Sequence, residues 1–154
     1  MFNITSIEAL ISEFESAEEK DRSKLLKQIA ISPKAFEKHA IWKKDSYTRV
    51  CLARTAAFEF ILLCWDRNAE TAVHDHNGQD CWVYQIKGEV EEKRYSNENK
   101  KGLKEIRKMT LTSGKLTYMN DRMGYHKLKN SSPNSERALT LHIYASPIEQ
   151  CMRS

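Results

Sequence analysis

A chain of 154 residues, 40% hydrophobic and 30% charged, is long enough to bury a substantial core and has the size of one globular domain. Its formal net charge of +4 is modest, and bases alternate with acids in Glu91-Glu92-Lys93-Arg94 and Glu98-Asn99-Lys100-Lys101, which reads as a solvated face and excludes a nucleic-acid stripe. No stretch is apolar enough to span a membrane, the segment Met1 to Glu8 has no basic lead into an apolar run, and Cys51, Cys64, Cys81 and Cys151 are too scattered for a disulfide scaffold, so a cytoplasmic protein with buried free thiols is expected.

Helical periodicity is confined to the beginning. Thr5 with Glu8 predicts a capping box for a helix carrying Ile7, Leu10, Ile11 and Phe14 on one face. Leu25, Leu26 and Ile29 mark a second helix, and Ser32-Pro33 starts a third that includes Phe36 and Ala40, with His39 facing solvent. From Tyr47 the pattern changes to strands: 48–53, 58–65, 81–86, 89–95, 106–111, 115–119, 126–128 and 138–143. Lys87-Gly88-Glu89 predicts a tight hairpin, and the polar stretches 96–104 and 130–136 predict loops. The expected organisation is a single domain over residues 1–154, with helices over 1–45 packing on a β-barrel over 46–154.

The chemistry-bearing motif is His74-Asp75-His76, followed far downstream by His126. Two residues at i and i+2 project from one face of a strand, so His74 and His76 can share a ligand, and His126 can join them from another strand of a closed sheet. Three neutral imidazoles would leave coordination positions open for chemistry. The spacing from His74 through Cys81 to Gly88 resembles the first metal motif of cupins, and His126-Lys127-Leu128-Lys129-Asn130 resembles the end of the second. The resemblance implies a mainly β, cupin-type jelly-roll β-barrel with a short N-terminal helical segment. Where cupins place a Glu ligand this chain has Cys81, so the implied set is three histidines with no carboxylate.

Further segments resemble the thiol dioxygenases within the cupins: Tyr47-Thr48-Arg49, Ile61 to Trp65, His74 to Gly88, Tyr118 to His126, and Leu141-His142-Ile143-Tyr144-Ala145-Ser146-Pro147 to Cys151. They cover about two thirds of the chain, in the family's order and at its spacings. The resemblance implies an Fe(II) enzyme that adds O2 to the sulfur of cysteine, giving cysteine sulfinate. It implies His74, His76 and His126 as metal ligands, and Tyr144, His142 and Cys81 as active-site residues. Arg49 is implied as the anchor of the substrate carboxylate, with Tyr47, Thr140 and Cys151 also in the substrate-binding set. Cys81 and Tyr144 match a pair that some members join by a thioether.

The residues support this reading on their own terms. With no protein carboxylate on the metal, a thiolate substrate supplies the anionic ligand, and a cationic centre promotes its deprotonation. Val50-Cys51-Leu52 beside Arg49 reads as a largely buried pattern, in which a guanidinium needs a carboxylate partner; Arg54 and Arg122 are the weaker choices. His142 and Tyr144, one residue apart, share a strand face. Cys51 and Cys64 read as buried thiols, and Trp42, Trp65 and Trp82 as packing. Three alternatives stay open: a dioxygenase for another small thiol such as 3-mercaptopropionate, a zinc or nickel cupin hydrolase or isomerase, and a non-catalytic ligand-binding cupin. The expected partners are a small thiol and O2, with no nucleic acid and no membrane; the sequence leaves the oligomeric state open and is compatible with a monomer.

Overall fold

The structure, a computed structural model, describes residues 3–74, 78–96, 102–120 and 124–145. The chain divides into two compact units, residues 1–40 and 41–154.

In the first unit, helix α1 (Ile7–Ser16) buries Ile7, Leu10 and Phe14, the face that the helical spacing predicts. Its cap is Ser6, one residue later than the expected Thr5, because the Ser6 hydroxyl accepts the Ala9 backbone N–H at 3.1 Å. Helix α2 (Arg22–Leu26) stops before Ile29, whose backbone is engaged instead in a parallel bridge to Ile4. Helix α3 (Pro33–Glu37) starts at the predicted proline and ends short of Ala40, and His39 is exposed. No helix among the described residues is long and apolar enough to cross a membrane.

The second unit is mainly β. Its strands are β1 (Tyr47–Arg54), β2 (Phe58–Trp65), β3 (Asp80–Lys87), β4 (Val90–Ser96), β5 (Lys104–Leu111), β6 (Leu116–Met119), β7 (Tyr125–Asn130) and β8 (Ala138–Ala145). They form two antiparallel sheets, ordered β1-β2-β8-β3-β6 and β5-β4-β7. The apolar runs of β2 and β8 are nearly continuous because both strands lie inside the larger sheet, flanked on either side and buried on both faces. Ile61, Leu63 and Trp65 on one face of β2 meet Val90 and Leu128 of the smaller sheet, which forms the core between the layers.

Two expectations are corrected here. The turn at Gly88 is not a hairpin: β3 and β4 belong to different sheets, so it carries the chain from one layer to the other. Gly88 has φ +73°, and a Cβ there would come within 2.9 Å of the Arg137 carbonyl oxygen and the Ala138 Cβ, so the crossing needs glycine on two grounds. The stretch Glu91 to Arg94 is not a uniformly solvated face. Alternation along β4 turns Val90, Glu92 and Arg94 inward and leaves Glu91 and Lys93 half-buried.

Candidate metal centre and substrate cavity

Each candidate side chain is delivered by strand parity. Directly opposed residues of neighbouring antiparallel strands share a sheet face. The registers Tyr47↔Trp65, Arg49↔Leu63, Ile61↔His142 and Cys81↔Tyr144 therefore put Tyr47, Arg49, His142, Tyr144 and Cys81 on the inner face of the larger sheet. His126, on β7 of the smaller sheet, is 1% exposed. His74 reaches it through an isolated antiparallel bridge, in which each backbone N–H donates to the other's carbonyl at 2.9 Å. Gly124, with φ +92°, is required just before β7, because a Cβ at that position would collide with the Tyr95 carbonyl oxygen.

The two imidazoles meet at 2.9 Å, Nε2 to Nε2. The outer nitrogen of each has a partner that can only accept: His74 Nδ1 lies 3.0 Å from the Ala72 carbonyl oxygen, and His126 Nδ1 lies 3.1 Å from Glu92 Oε2. Each Nδ1 therefore carries the proton, and the two Nε2 lone pairs face each other. Such a pair repels unless a shared proton or a metal ion lies between the two nitrogens. Two nitrogens about 2.1 Å from one ion and at right angles to each other would stand about 3.0 Å apart. The donor set therefore fits a metal. Among the described residues no three such ligands converge, since His76 lies outside them.

Glu92 and Arg94, which the sequence did not single out, adjoin the candidate site through His126. Glu92 is 1% exposed; its Oε1 accepts from Arg94 Nε at 2.9 Å, and Arg94 Nη2 donates to Thr117 Oγ1 at 3.1 Å and to the Tyr118 carbonyl at 3.2 Å. Burial raises the Glu92 carboxyl, but the hydrogen bond to His126 and the Arg94 charge outweigh it and leave it below the usual carboxylate range. The signal was available in the period-2 alternation that places Glu92 and Arg94 beside Val90.

A cavity of about 210 Å³ opens beside the histidines, lined by Tyr47, Arg49, Leu63, Thr71, Ala72, His74, Leu128, His142 and Tyr144. Its volume lies below the range of drug-sized sites and suits a small molecule. Arg49 is exposed, contrary to the expectation of a buried guanidinium, because β1 is the outer strand of its sheet, and Cys51 is exposed for the same reason. The Arg49 guanidinium carbon stands 5.8 Å from the Tyr144 ring centroid, a cation–π contact. Arg54 is engaged with Glu59 at 2.8 Å and does not line the cavity, while Arg122 and Cys151 lie outside the described residues.

Cys81 is buried opposite Tyr144, its register partner, and its thiol donates to the Trp82 carbonyl at 3.9 Å. Burial, chiefly, pushes both the thiol and the phenol up, so each is neutral. His142 and Tyr144 stack with centroids 6.3 Å apart. Thr140 stands one step behind the cavity wall: its hydroxyl accepts from Trp65 Nε1 at 2.8 Å and lies 2.8 Å from His142 Nε2. Trp65, read from the sequence as packing alone, thus also anchors the support of His142.

With this geometry in view, comparison with known proteins is decisive at the level of family. The model of the family "Cysteine dioxygenase type I" matches residues 4–154. The chain belongs to the cysteine dioxygenase type I family. It is 26% identical over 152 residues to cysteine dioxygenase type 1 of Rattus norvegicus, covering 97% of this chain and 68% of that protein. The Danio rerio enzyme of the same name is 27% identical over 131 residues, covering 82% and 65%. Among solved structures, a Thermus thermophilus protein aligns with TM-score 0.59 at 19% identity over 72% of this chain and 93% of that one. The cupin domain of Cnp3 from Schizosaccharomyces pombe aligns with TM-score 0.56 at 13% identity, covering 70% and 66%. The barrel is of the cupin type, and membership in the cysteine dioxygenase family supports an oxidoreductase of the thiol dioxygenase class.

Proposed function

We propose that this protein is an Fe(II)-dependent dioxygenase that adds both atoms of O2 to the sulfur of L-cysteine, giving cysteine sulfinate. The observation that carries the reading is the facing pair of Nε2 atoms of His74 and His126, of which His74 lines a small cavity that also presents Arg49 and Tyr144. His76, outside the described residues, is taken from the His74-Asp75-His76 motif as the third ligand. When bound, the metal supplies the redox chemistry that couples O2 to a thiolate and the positive charge that favours thiolate over thiol.

The protein's own share is binding and orientation. Arg49, at the open edge of the sheet, pairs with the substrate carboxylate and fixes one end of the molecule. Tyr144, in contact with Arg49 and opposite Cys81, presents a neutral O–H toward the bound substrate, and the Trp65-Thr140-His142 chain keeps the neighbouring imidazole in place. Leu63 and Leu128 exclude water from one side of the cavity. Holding thiol and oxygen side by side supplies the rate by proximity, with no protein nucleophile. Cys51, Cys64 and Cys81 are free thiols, which accords with a reducing compartment such as the cytoplasm.

A dioxygenase for 3-mercaptopropionate is the second reading, favoured by one feature: none of the described lining residues carries a carboxylate that could recognise an amine. Product analysis after the iron-loaded protein is incubated in air with cysteine, 3-mercaptopropionate and cysteamine tests both. Cysteine sulfinate as the main product is expected. Equal or greater turnover of 3-mercaptopropionate would install the second reading, and no sulfinate from any thiol would overturn both.

A further inference from the structure

We propose that Glu92 is a positioning residue of the metal centre: clamped by Arg94, it holds the His126 imidazole with Nδ1 protonated and Nε2 unprotonated, and turns the negative end of a buried ion pair toward a site whose protein ligands are all neutral. The inference rests on reading His74, His76 and His126 as the metal ligands.

The geometry assigns each carboxylate oxygen a separate task. Oε1 takes Arg94 Nε at 2.9 Å and Oε2 takes His126 Nδ1 at 3.1 Å. Arg94 is itself 5% exposed and is fastened to β6 through Thr117 and Tyr118, so the carboxylate cannot rotate away from the histidine without leaving a buried guanidinium unpaired. Arg94 and His126 are also direct partners across β4 and β7, which fixes the clamp and the ligand on one inner face. A buried ion pair contributes little net stability over an apolar pair of the same shape, so the fold alone does not call for these charges. Their placement against one ring nitrogen of a ligand does. An anionic acceptor on Nδ1 excludes the tautomer that would put the proton on Nε2, and it makes the imidazole a stronger donor. His74 has a neutral counterpart, the Ala72 carbonyl, so the two ligands differ in basicity and His126 is the stronger.

The test compares the unaltered protein with Glu92→Gln, which keeps the shape and an acceptor oxygen but removes the charge, and with Glu92→Asp. Fe(II) affinity is measured by competition with a chelator, the ferric/ferrous midpoint potential by titration, and the folded fraction by thermal melting. Glu92→Gln should bind Fe(II) about 10- to 100-fold more weakly, and its midpoint should move positive, since removing a nearby negative charge disfavours the ferric ion more than the ferrous. A merely structural role would lower the melting temperature and leave the midpoint of the folded protein where it was. Glu92→Asp should recover part of both effects. Where Glu92→Gln does not fold, the unaltered protein loaded with Zn(II) carries the test: nitrogen-correlated NMR should show a slowly exchanging, downfield His126 Nδ1 proton. An affinity within about twofold of the unaltered protein with an unmoved midpoint, or a rapidly exchanging Nδ1 proton, would overturn the inference and leave the three-histidine reading standing. Failure of the unaltered protein to bind Fe(II) would remove that reading, and the inference with it.

Discussion

Replacing Arg49 by Ala is the sharpest probe of substrate recognition, and its magnitude follows from where the residue sits. Were the guanidinium buried, breaking a charge pair on one side would cost about 3–5 kcal/mol. Arg49 is instead exposed on an outer strand, so water screens part of the attraction and re-solvates the carboxylate once the arginine is gone. A charge-assisted bidentate contact at the mouth of a small cavity then contributes about 1.5–3 kcal/mol, or roughly 10- to 150-fold in kcat/KM for cysteine. Most of this should appear in KM, with a smaller loss in kcat because Arg49 also contacts the Tyr144 ring. Iron content should be unchanged, since Arg49 is not among the metal ligands read here. Oxygen uptake with cysteine and with cysteamine makes the assay specific: cysteamine has no carboxylate, so the cysteine-to-cysteamine ratio must collapse in Arg49→Ala. Unchanged cysteine kinetics, or a parallel fall for both thiols, would refute the anchor.

His126→Ala removes one of the facing lone pairs and should lose most bound iron and all sulfinate formation, read by metal analysis and product chromatography; full activity in this variant would remove the site as drawn. Asp66→Asn tests electrostatics away from the site: the Asp45 N–H first, and then Arg137, hold the Asp66 carboxyl below the usual carboxylate range against its partial burial. A depressed folded pKa stabilises above the unfolded value near 3.9 and stops doing so as pH falls through the folded one, so the variant should be less stable at neutral pH, with the difference shrinking and then vanishing as acid denaturation is followed below the unfolded value. Cys81 and Tyr144 should become joined in part by a thioether during aerobic turnover with cysteine, one hydrogen leaving the thiol and one the ring, with O2 as oxidant. Intact mass should then show a reductant-resistant population lighter by two hydrogens, with both residues in one cross-linked peptide; a loss reversed by reductant would point to a disulfide and refute the link.

The barrel was legible because buried strands leave a direct trace: β2 and β8 are nearly continuous apolar runs, and parity alone places His142 and Tyr144 on one face. What the sequence hid depends on which strand neighbours which. Arg49 sits among apolar residues, which reads as burial, yet β1 has a neighbour on one side only. The Gly88 turn carries every local mark of a hairpin, but a turn signal records backbone shape and not whether the flanking strands pair. Glu92 and Arg94 were hidden by their neighbours. Four consecutive charges look solvated as a composition, whereas on a strand two of them must face inward.

That inward pair bears on how the proposed site, with only neutral protein ligands, would work in this barrel. A carboxylate on the metal would neutralise part of its charge and weaken its claim on a thiolate. A centre with no anion nearby would bind an oxidisable metal less firmly. Under the proposed reading a carboxylate behind the ligand resolves the conflict: Glu92 hydrogen-bonds His126 and would leave the coordination sphere to the substrate. Where the cupin motif places a carboxylate ligand this chain has Cys81, which is buried and neutral. The negative charge nearest the metal would then be that of the thiolate, so a vacant site and an occupied one differ by the ligand on which the chemistry acts.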